Sequence, residues 1–256
     1  PLLPPSLLAV EPPQHTRYRK TVSSVFTSRA VTALRAQVED TAAALLDELS
    51  GTTGVVDIVD RYCSQLPVAI ISEILGVPAE DRSKVLEYGE LAAPSLDFGL
   101  SWRQYQSVQR GLKGFESWLG MHLQRLRDNP GDTLMKQIME ASDDGVSLDE
   151  TELRAVAGLV LAAGFETTVN LLGNGIRMLL NAPDQLALLK DDPSLWPNAV
   201  EEILRLDSPV QLTGRVALND TEVAGTQVHR GDFVVLLLAA ANRDPAVFPD
   251  PHRFDV

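Results

Sequence analysis

One cysteine in 256 residues leaves no partner for an internal disulfide, and a reducing, cytoplasmic compartment is the simplest setting for such a chain. Concentrated basic charge is lacking too. The chain carries 22 Lys and Arg against 35 Asp and Glu, a formal net charge of −13, with no acidic block to account for it. A phosphate-binding surface needs clustered cations, so nucleic acid is not an expected partner. None of the four histidines stands at metal-ligand spacing from another. There is no G-x-G-x-x-G or flavin signature, which excludes an obvious nicotinamide or flavin site. No signal-peptide pattern and no membrane span are recognisable. The chain opens on Pro1-Leu2-Leu3-Pro4-Pro5 rather than Met, so it reads as an interior portion of a longer protein.

What is present is a hydrophobic fraction of 45%, enough for a full core, and one long apolar helix around which the rest can be arranged. Ser147 with Glu150 three residues later reads as a capping box, and Asn181 and Pro183 supply the stop, so residues 148–181 predict a helix of about thirty residues and roughly 45 to 50 Å. Between Ala155 and Ile176 its only charge is Glu166. A helix apolar nearly all round is buried in protein or in lipid. Glu166, Thr167, Thr168, Asn170 and Asn174 are too many polar groups for a membrane span, which predicts a core helix. At its centre, Ala163-Gly164-Phe165-Glu166-Thr167-Thr168 places a helix-interior glycine, a buried acid and a Thr side by side. Each is costly in a helix, and together they suggest a ligand-facing groove. An alternative stands beside it: Gly164 admitting a close neighbouring helix, and Glu166 paired with an arginine.

Around this helix the chain reads as further helices, mostly amphipathic, with Val55–Pro78 apolar. One follows Pro12-Pro13 towards Ala30, with His15 and Arg19 four apart on one face. Others span Val31–Leu49, Val55–Pro78, Asp81–Gly89, Trp102–Arg127 and Thr133–Ala141. Cys63, in Arg61-Tyr62-Cys63-Ser64, reads as an inert packed thiol and His122 as a surface or packing residue. Beyond Pro183 a short helix leads to NAVEEILRL, where Glu202 and Arg205 meet three apart. A strand-rich stretch follows, with a turn at His229-Arg230-Gly231-Asp232 and a continuous apolar strand at Phe233–Leu238. The adjacent Glu201 and Glu202 point in different directions from their helix, which argues against hydrolysis by paired carboxylates.

The run A-G-x-E-T-T in a long apolar helix resembles the central helix of the cytochrome P-450 superfamily, the haem-thiolate monooxygenases. Four further matches keep that family's order: H-x-x-x-R in PPQHTRYRK, E-x-x-R at Glu202 and Arg205, A-N-R-D in AAANRDP, and F-x-x-P-x-x-F from Phe248 to Phe254. The resemblance implies a mainly α fold with a small β region in a single domain over residues 1–256, incomplete at both ends. It implies Glu166 and Thr167 as the acid–alcohol pair that relays protons to dioxygen, with Ala163 and Gly164 opening the oxygen groove. His15, Arg19 and Arg215 would reach the propionates of haem b (iron protoporphyrin IX), which would lie flat against the helix around Gly164. Leu96, Phe98, Ala162, Val210 and Leu212 would face an apolar substrate. Glu202, Arg205 and Arg253 would form a buried network, with Glu202 between two guanidiniums. No metal ligand is expected in this chain, because the family's axial Cys sits in a Gly-rich loop that would follow Val256. Dioxygen and a ferredoxin-type electron donor are the implied partners, and Arg17 and Lys20 are candidate docking charges in an acidic protein. The competing reading is a non-catalytic helical binding or scaffold protein of the same fold that holds no haem.

Overall fold

The computed structural model describes residues 6–92, 94, 99–129, 131, 133–143 and 146–256. The described residues are mainly helical, with three small two-stranded antiparallel sheets among them. The chain divides into two compact units, residues 1–169 and 170–256.

In the first unit, α1 (Gln14–Val25) buries Tyr18, Thr21 and Val25. The expected continuation to Ala30 is interrupted: Thr27 turns extended and its hydroxyl accepts the Ala30 N–H at 3.2 Å, capping α2 (Ser28–Ala33). After Leu34, α3 (Arg35–Ser50) continues, so the helix expected from Val31 to Leu49 is two helices. The helix expected over 55–78 begins later. Asp57 Oδ1 accepts the Val59 and Asp60 N–H groups at 2.9 and 3.2 Å, starting a π-helical turn at Val59–Cys63. It passes into α4 (Gln65–Ile74). Gly76, at φ +67°, ends α4: the Val77 N–H bonds Ser72 O at 2.6 Å and the Gly76 N–H bonds Glu73 O at 3.0 Å. Those two bonds are a Schellman close, and it needs the left-handed conformation that glycine adopts without strain.

Next come α5 (Arg82–Ala92) and α6 (Trp102–Asp128), whose Ser101 and Gln104 form a capping box. α7 (Leu134–Glu140) and a two-residue ribbon, β1 (Ser142–Asp143) with β2 (Val146–Ser147), lead into α8 (Glu150–Asn181). The cap of α8 is a correction to the sequence reading. Ser147 still pairs with Ser142 in the ribbon, so the chain is extended there. The box forms two residues later, with Asp149 Oδ1 accepting the Glu152 N–H at 2.8 Å and Glu152 Oε2 accepting the Asp149 N–H at 2.9 Å. The core of this unit is continuous. Leu75, Val85, Phe115, Trp118, Leu123, Ile138, Val156 and Leu161 pack together, with Leu123, Ile138 and Val156 at 0% exposure. His122 is buried among them, its ring stacked on Trp118 at 5.2 Å and its Nε2 2.9 Å from Leu75 O.

The second unit takes the end of α8, then α9 (Pro183–Asp191) and α10 (Trp196–Leu206). In its sheets β3 (Thr213–Val216) pairs with β6 (Phe233–Leu236), and β4 (Thr221–Val223) with β5 (Thr226–Val228). The β4–β5 turn is Ala224-Gly225, both at positive φ, the two-residue connection whose twist suits a hairpin. The apolar strand expected to reach Leu238 stops at Leu236, because Leu238–Ala241 form a helical turn, α11. The apolar core here is small: Leu179, Leu189 and Ala199, with Leu186, Leu195, Phe254 and Val256 against them.

Candidate functional site

The middle of α8 differs from its ends. Phe165 is buried and lies against α5, where a Cβ on Gly89 would meet its ring at 2.9 Å. Gly164 lies against α4: a Cβ there would sit 2.9 Å from Ile71 Cδ1 and 3.2 Å from Cγ1. This corrects the expectation that Gly164 opens a groove. Its missing side chain admits a neighbouring helix, and the space beside it holds Ile71.

The open side of α8 is Ala162 and Ala163, both exposed. On that side the Thr167 hydroxyl donates to Ala163 O at 2.8 Å, the back-bond that a helical Thr makes to the carbonyl four residues earlier. Its oxygen lone pairs remain to accept. Glu166 is half-buried and engaged. By length and composition α8 could cross a membrane, yet only 28% of its most apolar stretch is buried among the described residues. The sequence reading of a helix buried all round is therefore corrected. Phe165 and Gly164 face neighbouring helices, while Ala162 and Ala163 present a smooth, small-residue surface.

His15 and Arg19 lie on α1, half-buried and exposed respectively, and Arg19 makes no ion pair among the described residues. Arg17 does not serve as a free docking charge. It pairs with Glu152, whose side chain is 13% exposed and which also accepts the Tyr18 hydroxyl at 3.1 Å. Burial and this carboxylate push the Tyr18 phenol above its usual range. Sequence reading missed Glu152, although Asp149-x-x-Glu152 is itself a capping-box pattern.

In the second unit Arg215 sits on β3, exposed, donating to Thr213 Oγ1 at 3.1 Å and Gly214 O at 2.7 Å, with no carboxylate partner among the described residues. Val210 and Leu212 are 46% and 37% exposed on the link into β3. Leu96 and Phe98 lie outside the described residues. Glu202 and Arg205 form a two-pronged pair at 2.6 and 2.7 Å, 12% and 13% exposed. Arg205 further donates to the carbonyls of Asn242, Pro251 and Arg253 at 2.9, 3.0 and 3.0 Å and covers the Phe248 ring at 4.9 Å. Arg253 thus enters the network by its carbonyl, a correction to the second guanidinium expected on Glu202. Its own side chain is 58% exposed and turns to Asp255, which is 3.7 Å away. A single guanidinium with five donors meets the carboxylate and three carbonyls, so a second cation has nothing left to neutralise.

Haem is a flat apolar plate with two carboxylate arms. Ala162 and Ala163 offer a surface that a plate can approach, and Arg19 and Arg215, each without a carboxylate partner among the described residues, are cations of the kind that carboxylate arms require. These residues fit the group. Cys63 does not fit as its axial ligand: it is fully buried, and burial pushes its thiol up, away from the thiolate a metal needs. Among the described residues no cluster of His, Cys, Asp and Glu is arranged for a metal ion.

The family model for cytochrome P450 matches residues 194–256. A protein of Mycobacterium tuberculosis named cytochrome P450 140 is 69% identical over 259 residues, covering 100% of this chain and 59% of its own length. The 6-deoxyerythronolide B hydroxylase of Saccharopolyspora erythraea is 44% identical over 249 residues, covering 96% of this chain and 60% of its own. The crystal structure of P450BioI, solved with an acyl carrier protein bearing hexadec-9Z-enoic acid, superposes with a TM-score of 0.92 at 32% identity over 97% of this chain and 64% of that one. The chain thus spans about three fifths of the length of the relatives it matches. With motifs, fold and relatives in agreement over nearly its whole length, this chain belongs to the cytochrome P450 family.

Proposed function

We propose that the complete protein is a haem-dependent monooxygenase that hydroxylates a small to medium apolar compound, using dioxygen and two electrons from a ferredoxin-type donor in the cytoplasm. The observation that carries this reading is Thr167, held on the open, small-residue side of α8 by its bond to Ala163 O. A hydroxyl fixed in that way keeps its lone pairs for water or dioxygen and can pass on a proton it receives. Glu166, one residue earlier, is the proton source. Haem ligated by a thiolate supplies reductive activation of dioxygen and insertion of one oxygen atom into a C–H bond. The remaining roles belong to this chain. Ala162 and Ala163 leave room on α8, and His15, Arg19 and Arg215 hold the carboxylate arms. Val210 and Leu212, with Leu96 and Phe98, offer apolar surface to the substrate. Glu202 and Arg205, with the carbonyl of Arg253, fix the segment that follows α11. On this reading the two compact units are parts of one family domain. The hydroxylase of S. erythraea is a relative of matching chemistry.

The test uses the haem-loaded full-length protein. Thr167→Ala should consume reductant at near the parent rate while product per electron falls about a hundredfold, the low end of what a positioned proton-transfer group contributes. Unchanged coupling would remove Thr167 from the relay. The second reading, a scaffold that holds no haem, is favoured by a colourless protein with no red-shifted Soret band in its ferrous carbonyl form.

A further inference from the structure

We infer that Glu152 is a positioning residue: its carboxylate sets the roll of α1 about its own axis and so aims His15 and Arg19 at the cofactor's carboxylate arms. The inference rests on the reading that Arg19 holds one of those arms.

Glu152 is divided between two helices. Oε2 accepts the Asp149 N–H at 2.9 Å and closes the start of α8, while Oε1 receives Arg17 Nη2 and, at 3.1 Å, the Tyr18 hydroxyl, from a helix 134 and 135 residues away in sequence. The position of Oε1 is thereby fixed by the first turn of α8. Tyr18, Thr21 and Val25 are the buried line of α1. At 100° per residue Arg17 lies about 70° to one side of that line and the His15–Arg19 edge about 110° to the other, so Arg17 and that edge are on roughly opposite flanks of the helix. Apolar packing along one line leaves rotation about the helix axis weakly constrained. A charge-assisted bond on the opposite flank removes that freedom. α1 has no side-chain cap at its start and neither an acidic residue in its first turn nor a basic one in its last, so its own ends do little to hold it. With the guanidinium 25% exposed and the carboxylate 13%, the pair is shielded well enough to act as a strut.

The experiment measures haem transfer from the loaded full-length protein to excess apomyoglobin, followed optically, beside melting temperature. Arg19→Gln speeds release roughly tenfold, the worth of a charge-assisted bond. Glu152→Gln, which keeps shape and can still accept, speeds it about fivefold in the parent but less than twofold in the Arg19→Gln background, because residues acting in one unit are not additive. Asp149→Ala removes the Oδ1 half of the box but keeps the backbone N–H that Glu152 Oε2 accepts, and touches neither Arg17 nor Tyr18; it lowers the melting temperature and leaves release at the parent rate. Glu152→Gln acting equally in both backgrounds, or not at all, overturns the inference and leaves the reading of Arg19 intact, as does Asp149→Ala matching Glu152→Gln in release. Arg19→Gln at the parent rate overturns that reading and the inference with it.

Discussion

The two compact units of this chain are held in different ways. Residues up to 169 enclose a continuous apolar core in which Leu123, Ile138 and Val156 are wholly inaccessible. Residues from 170 have a small core cluster of Leu179, Leu189 and Ala199, and many of their large apolar groups, among them Val210, Val216, Phe233, Leu237 and Val247, are exposed. What fastens the later unit is polar: Arg205 gathers Glu202 and three backbone carbonyls that lie 37 to 48 residues away. Apolar packing spreads stability over many contacts, while a buried ion pair concentrates it in one residue, whose loss strands its partners. The fixed spacing of Glu202 and Arg205 is therefore what the fastening of the second unit depends on, whereas the packing of the first unit asks only for apolar side chains on the right helix faces.

The largest predicted effect follows from that contrast. Arg205→Met should cost about 3–5 kcal/mol, since it leaves Glu202 unpaired and three carbonyls unmet. Hydrogen exchange should register the loss in residues 196–256, with amides of α6 keeping their protection; an equal loss throughout would abolish the distinction between the units. Leu123→Ala, in the apolar core, should cost about 3 kcal/mol in denaturant unfolding, with the reverse distribution of exchange.

Asp81 tests whether charge matters in the first unit as well. It is 2% exposed, and Lys84 at 2.7 Å foremost, with Arg125 at 2.9 Å, holds its carboxyl at about 2 against the upward pull of burial. A folded value below the unfolded one stabilises the protein above the unfolded pKa. That stability, about 2 kcal/mol, is lost as pH falls from roughly 5 through 2. Asp81→Asn should melt lower than the parent at pH 7, by an amount that shrinks towards pH 2. The smallest effect is Gly164→Ala. Helix propensity favours Ala by about 1 kcal/mol, whereas crowding Ile71 costs 1–3, so a net loss of about 1 kcal/mol is expected. In an Ile71→Val background, which removes the methyl it meets, the substitution should become neutral or stabilising.

The positions legible in the sequence were those whose chemistry is local. Thr167 bonds four residues back, Glu202 and Arg205 meet three apart, and Pro183 starts a helix, because helical geometry alone brings such groups together. Boundaries were less legible. Ser147 and Asp149 both suit a cap, and the ribbon pairing of Ser147 with Ser142 decided between them. The two sides of the central helix were illegible for a related reason: Gly164 and Ala163 are equally small, and only the arrival of Ile71 from α4 makes one a packing site and leaves the other open.

The sequence by itself determined the helical class, the long central helix, the order of motifs and the residues able to hold carboxylates, since these depend on periodicity, spacing and side-chain type. Tertiary structure decided which partner each charge takes. Arg17 goes to Glu152 instead of solvent, and Arg253 lends its carbonyl while its guanidinium stays exposed. An ion pair closed across 135 residues of chain depends on the packing of whole helices, and no local pattern encodes it.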